Sequence, residues 1–154
     1  MNVVIKHTPT RKIAFIRHIG PYQDVGPTFA RLMTWAGPKG LLGPGATVVG
    51  VPCDNPKVTP KSELRYDAGV VVADDFKGDD EVGVRELPGG EHAVVCHEGP
   101  YSELPKAYDF LVGVWLPASG RQMGAAPPYE VYLRDASTTP PEELRTEIYL
   151  PLKS

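Results

Sequence analysis

His18-Ile19-Gly20-Pro21-Tyr22 returns as His97-Glu98-Gly99-Pro100-Tyr101, 79 positions further along the chain. A second motif repeats in the same order. Thr59-Pro60-Lys61-Ser62-Glu63-Leu64-Arg65-Tyr66-Asp67 matches Thr139-Pro140-Pro141-Glu142-Glu143-Leu144-Arg145-Thr146-Glu147 at a spacing of 80, and Trp35 and Gly40 find Trp115 and Gly120 at that same spacing. Two motifs that keep their order and nearly their spacing signal a duplication. The chain therefore reads as one domain, residues 1–154, made of two copies at about 2–72 and 82–152, with Ala73–Glu81 as the linker. A half of this size with a single helix buries too little surface to stand alone, so the copies are expected to share a core.

Outward from the Gly-Pro-Tyr motifs, each copy shows the same pattern. Two extended stretches precede the motif: Val3–Lys6 and Lys12–Arg17 in the first copy, Val82–Glu86 and His92–Cys96 in the second. Pro9 and Pro88-Gly89-Gly90 separate them as turns. Gly-Pro-Tyr then opens a helix, because a proline in the first turn gives up an N–H that has no intrahelical partner there. Leu104, Ala107, Tyr108, Leu111, Val112 and Trp115 recur at three- and four-residue steps, as do Phe29, Leu32, Met33 and Ala36. Both helices stop at Pro and Gly, near Gly37-Pro38-Lys39-Gly40 and Pro117-Ala118-Ser119-Gly120. Two further strands close each copy, Thr47–Pro52 with Leu64–Val72 and Tyr129–Leu133 with Thr146–Leu152. The class is α+β: duplicated β-α-β-β units with antiparallel sheets and the helices on one side.

Composition narrows the function. Hydrophobic residues make up 42% and charged residues 23%, the balance of a globular protein with a real core, and the formal net charge is -3. No basic stripe is present, so direct nucleic-acid binding is not expected. Cys53 and Cys96 fit neither a disulfide framework nor a zinc site, and read as reduced, packed thiols. The N-terminus lacks a signal-peptide pattern and no apolar run approaches the roughly 20 residues of a membrane helix, so no membrane partner and a cytoplasmic location are expected. Gly37–Gly45 has neither the Lys-Ser/Thr of a phosphate loop nor a dinucleotide context, and no cofactor or metal is expected.

Chemistry concentrates in the last strands. In Tyr129-Glu130-Val131-Tyr132-Leu133 successive side chains alternate between faces. Tyr129, Val131 and Leu133 suit packing under the helices, which leaves Glu130 and Tyr132 on the opposite face. The next strand splits likewise, with Glu147 and Tyr149 opposite Ile148, Leu150 and Leu152. As neighbours, these strands would bring a carboxylate and tyrosines together. At a spacing of 81 Glu130 corresponds to Val49, so the acid occurs in one copy only. The pattern alone fits equally a binding carboxylate or a glutamate on a solvated face. Glu147 recurs as Asp67, which favours a shared structural role such as pairing with Arg65 or Arg145. Tyr22 and Tyr101 read first as anchors of the helix starts and second as edges of a site. His18 and His97 read as turn residues, with no nucleophile in fixed relation to them.

These residues resemble the GyrI-like small-molecule-binding family, which includes a DNA gyrase inhibitory protein and the effector-binding domains of AraC-type and MerR-type multidrug regulators. The resemblance covers essentially the whole chain. It rests on Gly20-Pro21-Tyr22, Phe29-x-x-Leu32-Met33-x-Trp35, Asp54-Asn55-Pro56, Thr59-Pro60 and Leu64-Arg65. Gly89-Gly90, Gly99-Pro100-Tyr101, Tyr129 to Leu133 and Glu147-Ile148-Tyr149 complete it. It implies a pseudo-twofold pair of units with a ligand cleft between the halves, carrying aromatic side chains and a buried carboxylate that takes lipophilic cations. This favours the binding reading of Glu130, with Tyr132, Tyr149, Trp115, Tyr22, Tyr101 and Glu147 as the remaining candidate ligand-binding residues. The chain departs from the regulators in carrying no helix-turn-helix, which favours binding of a ligand or partner over direct transcription control. A stand-alone, stress-related binding protein for small amphipathic molecules, cations included, is the leading expectation. Hydrolysis of reactive cyclopropane-containing compounds, with Glu130 as the catalytic group, is one alternative. Interaction with DNA gyrase or a separate regulator is the other.

Overall fold

The computed structural model describes residues 1–154. Its strands are β1 (Val3–Thr8), β2 (Arg11–Ile19), β3 (Val48–Pro52), β4 (Arg65–Val72), β5 (Gly83–Leu87), β6 (Gly90–Glu98), β7 (Tyr129–Tyr132) and β8 (Arg145–Pro151). All eight fall within a residue or two of the stretches read from the sequence. The helices are α1 (Gly26–Ala36), α2 (Leu104–Phe110) and a short α3 (Leu116–Ser119). No helix is long and apolar enough to cross a membrane.

The chain forms two compact units, Thr10–Pro88 and Met1–Pro9 with Gly89–Ser154. Within the first, β3, β4, β2 and β5 lie side by side; within the second, β7, β8, β6 and β1 do so, and every named pairing is antiparallel. This departs from the boundaries expected at 2–72 and 82–152, since β1 pairs with β6 and β5 with β2. The loops explain it. Only Pro9-Thr10 joins β1 to β2, and only Pro88-Gly89 joins β5 to β6. The favoured two-residue hairpin turns take positive φ at their first central residue, whereas proline is held near φ -65°. That disfavours a tight hairpin between either strand and its successor.

One helix packs on the strands of each unit. Leu32, Trp35 and Ala36 of α1 close over Ala14, Ile16, Ala68, Val70, Val72 and Val82. Leu104 and Ala107 of α2, with Leu111, close over Ala93, Val95, Ile148, Leu150 and Leu152. These are the apolar stripes read from the sequence, except that Val112 is exposed.

Gly-Pro-Tyr does not itself begin either α-helix. Gly20 (φ 133°) and Gly99 (φ 136°) turn the chain, and Tyr22–Asp24 and Tyr101–Glu103 form single 3-10 turns. The prolines of the helical first turns are Pro27 and Pro105 instead. His18 and His97 brace the two turns, each Nε2 donating to the carbonyl three residues on, at 2.9 Å to Pro21 and 3.1 Å to Pro100. The second helix is also interrupted. Leu111–Trp115 is a π-turn in which the Leu116 N–H reaches back to Leu111. The ring of Pro117 would clash with the carbonyl four residues before it, and widening the turn relieves that.

Candidate functional site

Register decides which side chains share a face. β7 and β8 pair as Tyr129 with Tyr149, Glu130 with Ile148, Val131 with Glu147 and Tyr132 with Thr146. Directly opposite residues of an antiparallel pair lie on the same face. Ile148 belongs to the core beneath α2, so Glu130 and Tyr132 face the helix, while Tyr129 and Val131 share the other face with Tyr149 and Glu147. The expectation from alternation was the reverse. Tyr129, Glu130 and Val131 are all buried, and Leu133, expected in the core row, is 48% exposed. Where both faces of a strand are buried, apolar alternation no longer reports which face meets the helix.

Glu130 is buried, at 5% exposure. The Tyr108 hydroxyl donates to its Oε2 at 2.6 Å and the Tyr132 hydroxyl to its Oε1 at 2.5 Å. Such short distances are those of charge-assisted bonds to a carboxylate. Tyr132 reaches back along its own strand, since residues two apart project on one side. Tyr108 comes down from α2. The Tyr101 ring meets the Tyr132 ring edge-on, 5.4 Å between centroids. Burial pushes the Tyr101 phenol up, reinforced by Asp135 and Glu130, so it stays neutral at ordinary pH. The cluster is thus one carboxylate within three tyrosine rings, suited to a cation that also buries apolar surface. A phenol bonded to a carboxylate can also pass a proton.

The other candidates are distributed. Tyr149 and Glu147 lie on the far face, where Tyr149 stacks on Tyr129 at 4.8 Å and 6° and donates to Glu147 at 3.2 Å. They do not join Glu130. Trp115 is half-buried and packs, like Tyr108, against the core under α2. Tyr22 lies in the other unit and acts as a strut. Its hydroxyl donates to the Asp54 carbonyl at 2.8 Å, with the Arg65 carbonyl at 3.0 Å, and accepts the Asp54 N–H at 3.0 Å. Burial pushes this phenol up to about 12.

In the sequence Tyr108 reads as one position of an apolar stripe; the structure makes it a donor to Glu130. Its signal was that it alone in that stripe carries a hydroxyl. The structural counterpart of Glu130 also differs from the one read in the sequence. Gly50 pairs with Ala68 as Glu130 pairs with Ile148, so the equivalent is Gly50, 80 positions before, and not Val49. The acid still occurs in one unit only. The neighbouring pair is exchanged too, with Pro52 opposite Tyr66 in one unit and Tyr132 opposite Thr146 in the other. Tyr66 meets Tyr22 at 5.4 Å and 63°, as Tyr132 meets Tyr101 at 5.4 Å and 65°. The same ring contact is made from the other strand of the pair, and on β7 the ring's hydroxyl reaches residue 130.

The profile of the GyrI-like small molecule binding domain matches residues 1–153. A DNA gyrase inhibitor of Erwinia billingiae is 28% identical over 156 residues, covering 99% of this chain and 97% of that protein. The SPbeta prophage protein YosT of Bacillus subtilis is 35% identical over 99 residues, which span 61% of this chain and 64% of YosT. Among solved structures, the EcmrR C-terminal domain superposes with a TM-score of 0.77 at 22% identity, covering 99% of this chain and 98% of that one. SAV2435, solved bound to tetraphenylphosphonium, superposes with a TM-score of 0.64 at 16% identity, covering 100% and 95%.

Proposed function

The chain belongs to the GyrI-like small-molecule binding domain family, and from that premise we propose that it holds amphipathic compounds, lipophilic cations among them, against Glu130 and the tyrosines around it. One observation carries the reading: a carboxylate at 5% exposure is kept between two tyrosine hydroxyls. Burying an ionised carboxylate is costly even when it is hydrogen-bonded. The other unit builds the same strand pairing with Gly50 at that position, so the fold itself does not require an acid there. The rings of Tyr101, Tyr108 and Tyr132 supply faces that attract a cation and cover its apolar groups. The likeness to SAV2435, solved with tetraphenylphosphonium, adds support for that ligand class.

The test is a pair of ligands of similar shape titrated calorimetrically into the protein. Tetraphenylphosphonium should bind about a hundredfold more tightly than neutral triphenylphosphine oxide, the margin expected for one partly desolvated cation–carboxylate pair together with its cation–ring contacts. Equal or tighter binding of the neutral compound contradicts the proposal.

A second reading uses the same atoms. A phenol held at 2.5–2.6 Å from a carboxylate is a proton-transfer pair, the arrangement that hydrolysis of a strained cyclopropane ring would need. Turnover of such a substrate by the native protein and not by Glu130→Gln would establish it. For a protein partner, the name of the Erwinia relative supports a contact with gyrase.

A further inference from the structure

On the face away from the helices, the two units treat one carboxylate differently. Asp67 is fully buried in the Thr10–Pro88 unit, between two guanidinium groups. Arg17 forks onto it, Nε to Oδ1 at 2.7 Å and Nη2 to Oδ2 at 3.0 Å, and Arg85 Nη1 donates to Oδ2 at 2.6 Å. Arg17 stands opposite Asp67 on β2, and Arg85 stands opposite Ile13 on β5.

The same register places other residues in the second unit. Glu147 takes the position of Asp67, Cys96 stands opposite it on β6 where Arg17 stood, and Lys6, opposite His92, takes the position of Arg85. Replacing an arginine by cysteine removes a cation and its stem together. A cavity of about 220 Å³ lies there, lined by Asn2, Val4, Lys6, Val94, Cys96 and Glu147. The Glu147 side chain is 21% exposed where that of Asp67 is sealed. Its oxygens meet Lys6 Nζ at 3.9 Å and the Tyr149 hydroxyl at 3.2 Å, both looser than any contact of Asp67 with its arginines. Burial and Glu147 push the Cys96 thiol up, so position 96 brings no charge of its own.

We infer that this cavity is a guanidinium site, taking in trans the group that Arg17 supplies in cis in the other unit. A planar fork suits a carboxylate in two-point contact in a way that an ammonium does not. Val4 and Val94 provide apolar walls for the methylene stem of such a ligand. Lys6 does not forbid it, because Asp67 holds two cations at once in the equivalent place. The site lies on the opposite face from Glu130 and does not depend on the function proposed for that residue.

Cys96 is exposed and reports occupancy directly. Its alkylation by iodoacetamide in the full chain is to be followed by mass spectrometry with N-acetyl-arginine N-methylamide, its lysine analogue, and methylguanidinium. The arginine probe should slow Cys96 saturably, to about a tenth of its rate at ten times Kd, with the lysine analogue weaker at equal concentration and Cys53 unaffected. Protection should vanish in Glu147→Gln. Methylguanidinium as effective as the arginine probe marks free guanidino compounds as the ligand class, whereas a clear advantage for the arginine probe marks an arginine side chain of a partner. Cys96→Arg should raise the melting temperature by about 2–4 °C, because the pairing becomes internal. No saturable protection by either guanidinium probe, protection that persists in Glu147→Gln, or a fall in melting temperature on Cys96→Arg would each overturn the site.

Discussion

Asp67→Ala should lower the melting temperature by roughly 10 °C, a loss of about 3 kcal/mol in a chain of this length. The side chain is fully buried and accepts from Arg17 at 2.7 and 3.0 Å and from Arg85 at 2.6 Å. Removing it leaves two guanidinium groups facing each other without their shared counter-charge. Breaking a buried pair costs more than the pair contributes when intact, since the surviving charge loses both water and partner. The figure sits at the low end for such changes because the arginine side chains retain 39% and 26% exposure and can rehydrate in part. Burial alone would raise the Asp67 carboxyl, but hydrogen bonds from Arg17 and Arg85 outweigh it and hold the group below its ordinary value. Its stabilising contribution is therefore complete above the unfolded value of about 3.9 and is lost as pH falls through the lower folded value. Thermal denaturation of native protein and Asp67→Asn across pH 2 to 7 checks this. The gap between their melting temperatures should be widest at neutral pH and close in acid, and a gap independent of pH would contradict it.

Glu130→Gln should weaken tetraphenylphosphonium binding by about thirtyfold, close to 2 kcal/mol. Glutamine keeps the shape and keeps one oxygen to accept a tyrosine hydroxyl, so the loss isolates the charge. Affinity for a neutral aromatic compound should stay within about threefold, because the rings of Tyr101, Tyr108 and Tyr132 are untouched. The melting temperature of the free protein should hold or rise, since a neutral group costs less to bury than a carboxylate at 5% exposure. Calorimetric titration of both ligands, with a thermal melt of each protein, checks the three statements together. Equal affinity of the cation for both proteins would exclude Glu130 from the site.

The elements were legible in the sequence because their periodicities are strong. Alternating strands bounded by Pro and Gly, and two apolar stripes at helical spacing, were enough to place all eight strands and both main helices. Partnership was harder to read. That β1 leaves β2 for β6 follows from a proline in a two-residue loop, a signal present in the sequence but meaningful only once the loop length is known. Asp67 was expected to meet Arg65 and meets Arg17 and Arg85 instead. Partners 50 and 18 positions away are set by sheet register, which no local pattern encodes. Arg65 turns to Asp54 and Arg145 to Glu98.

The candidate site shows the same division. Glu130 stood out because it is not mirrored in the first copy, and that asymmetry survives the correction of its counterpart from Val49 to Gly50. Its orientation is not legible in the sequence because Tyr129 and Val131 are buried as thoroughly as a helix-facing row would be. Tyr149 and Glu147 were grouped with it on the assumption that polar faces of adjacent strands align. The observed register, Glu130 opposite Ile148, places them on the other side. The role of Tyr108 is hidden in the sequence because a tyrosine in a helical stripe has an apolar ring that packs and a hydroxyl whose partner lies 22 positions away.

Locating a heavy cation in a crystal grown of the protein with it tests the proposed site most directly. Tetraphenylarsonium has the shape and charge of the phosphonium, and its arsenic gives an anomalous signal that does not depend on interpreting weak ligand density. The arsenic peak should lie within roughly 6 Å of the ring centroid of Tyr101, Tyr108 or Tyr132, on the helix side of β7 beside Glu130. A single peak on the opposite face, against the stacked rings of Tyr129 and Tyr149, would contradict the assignment.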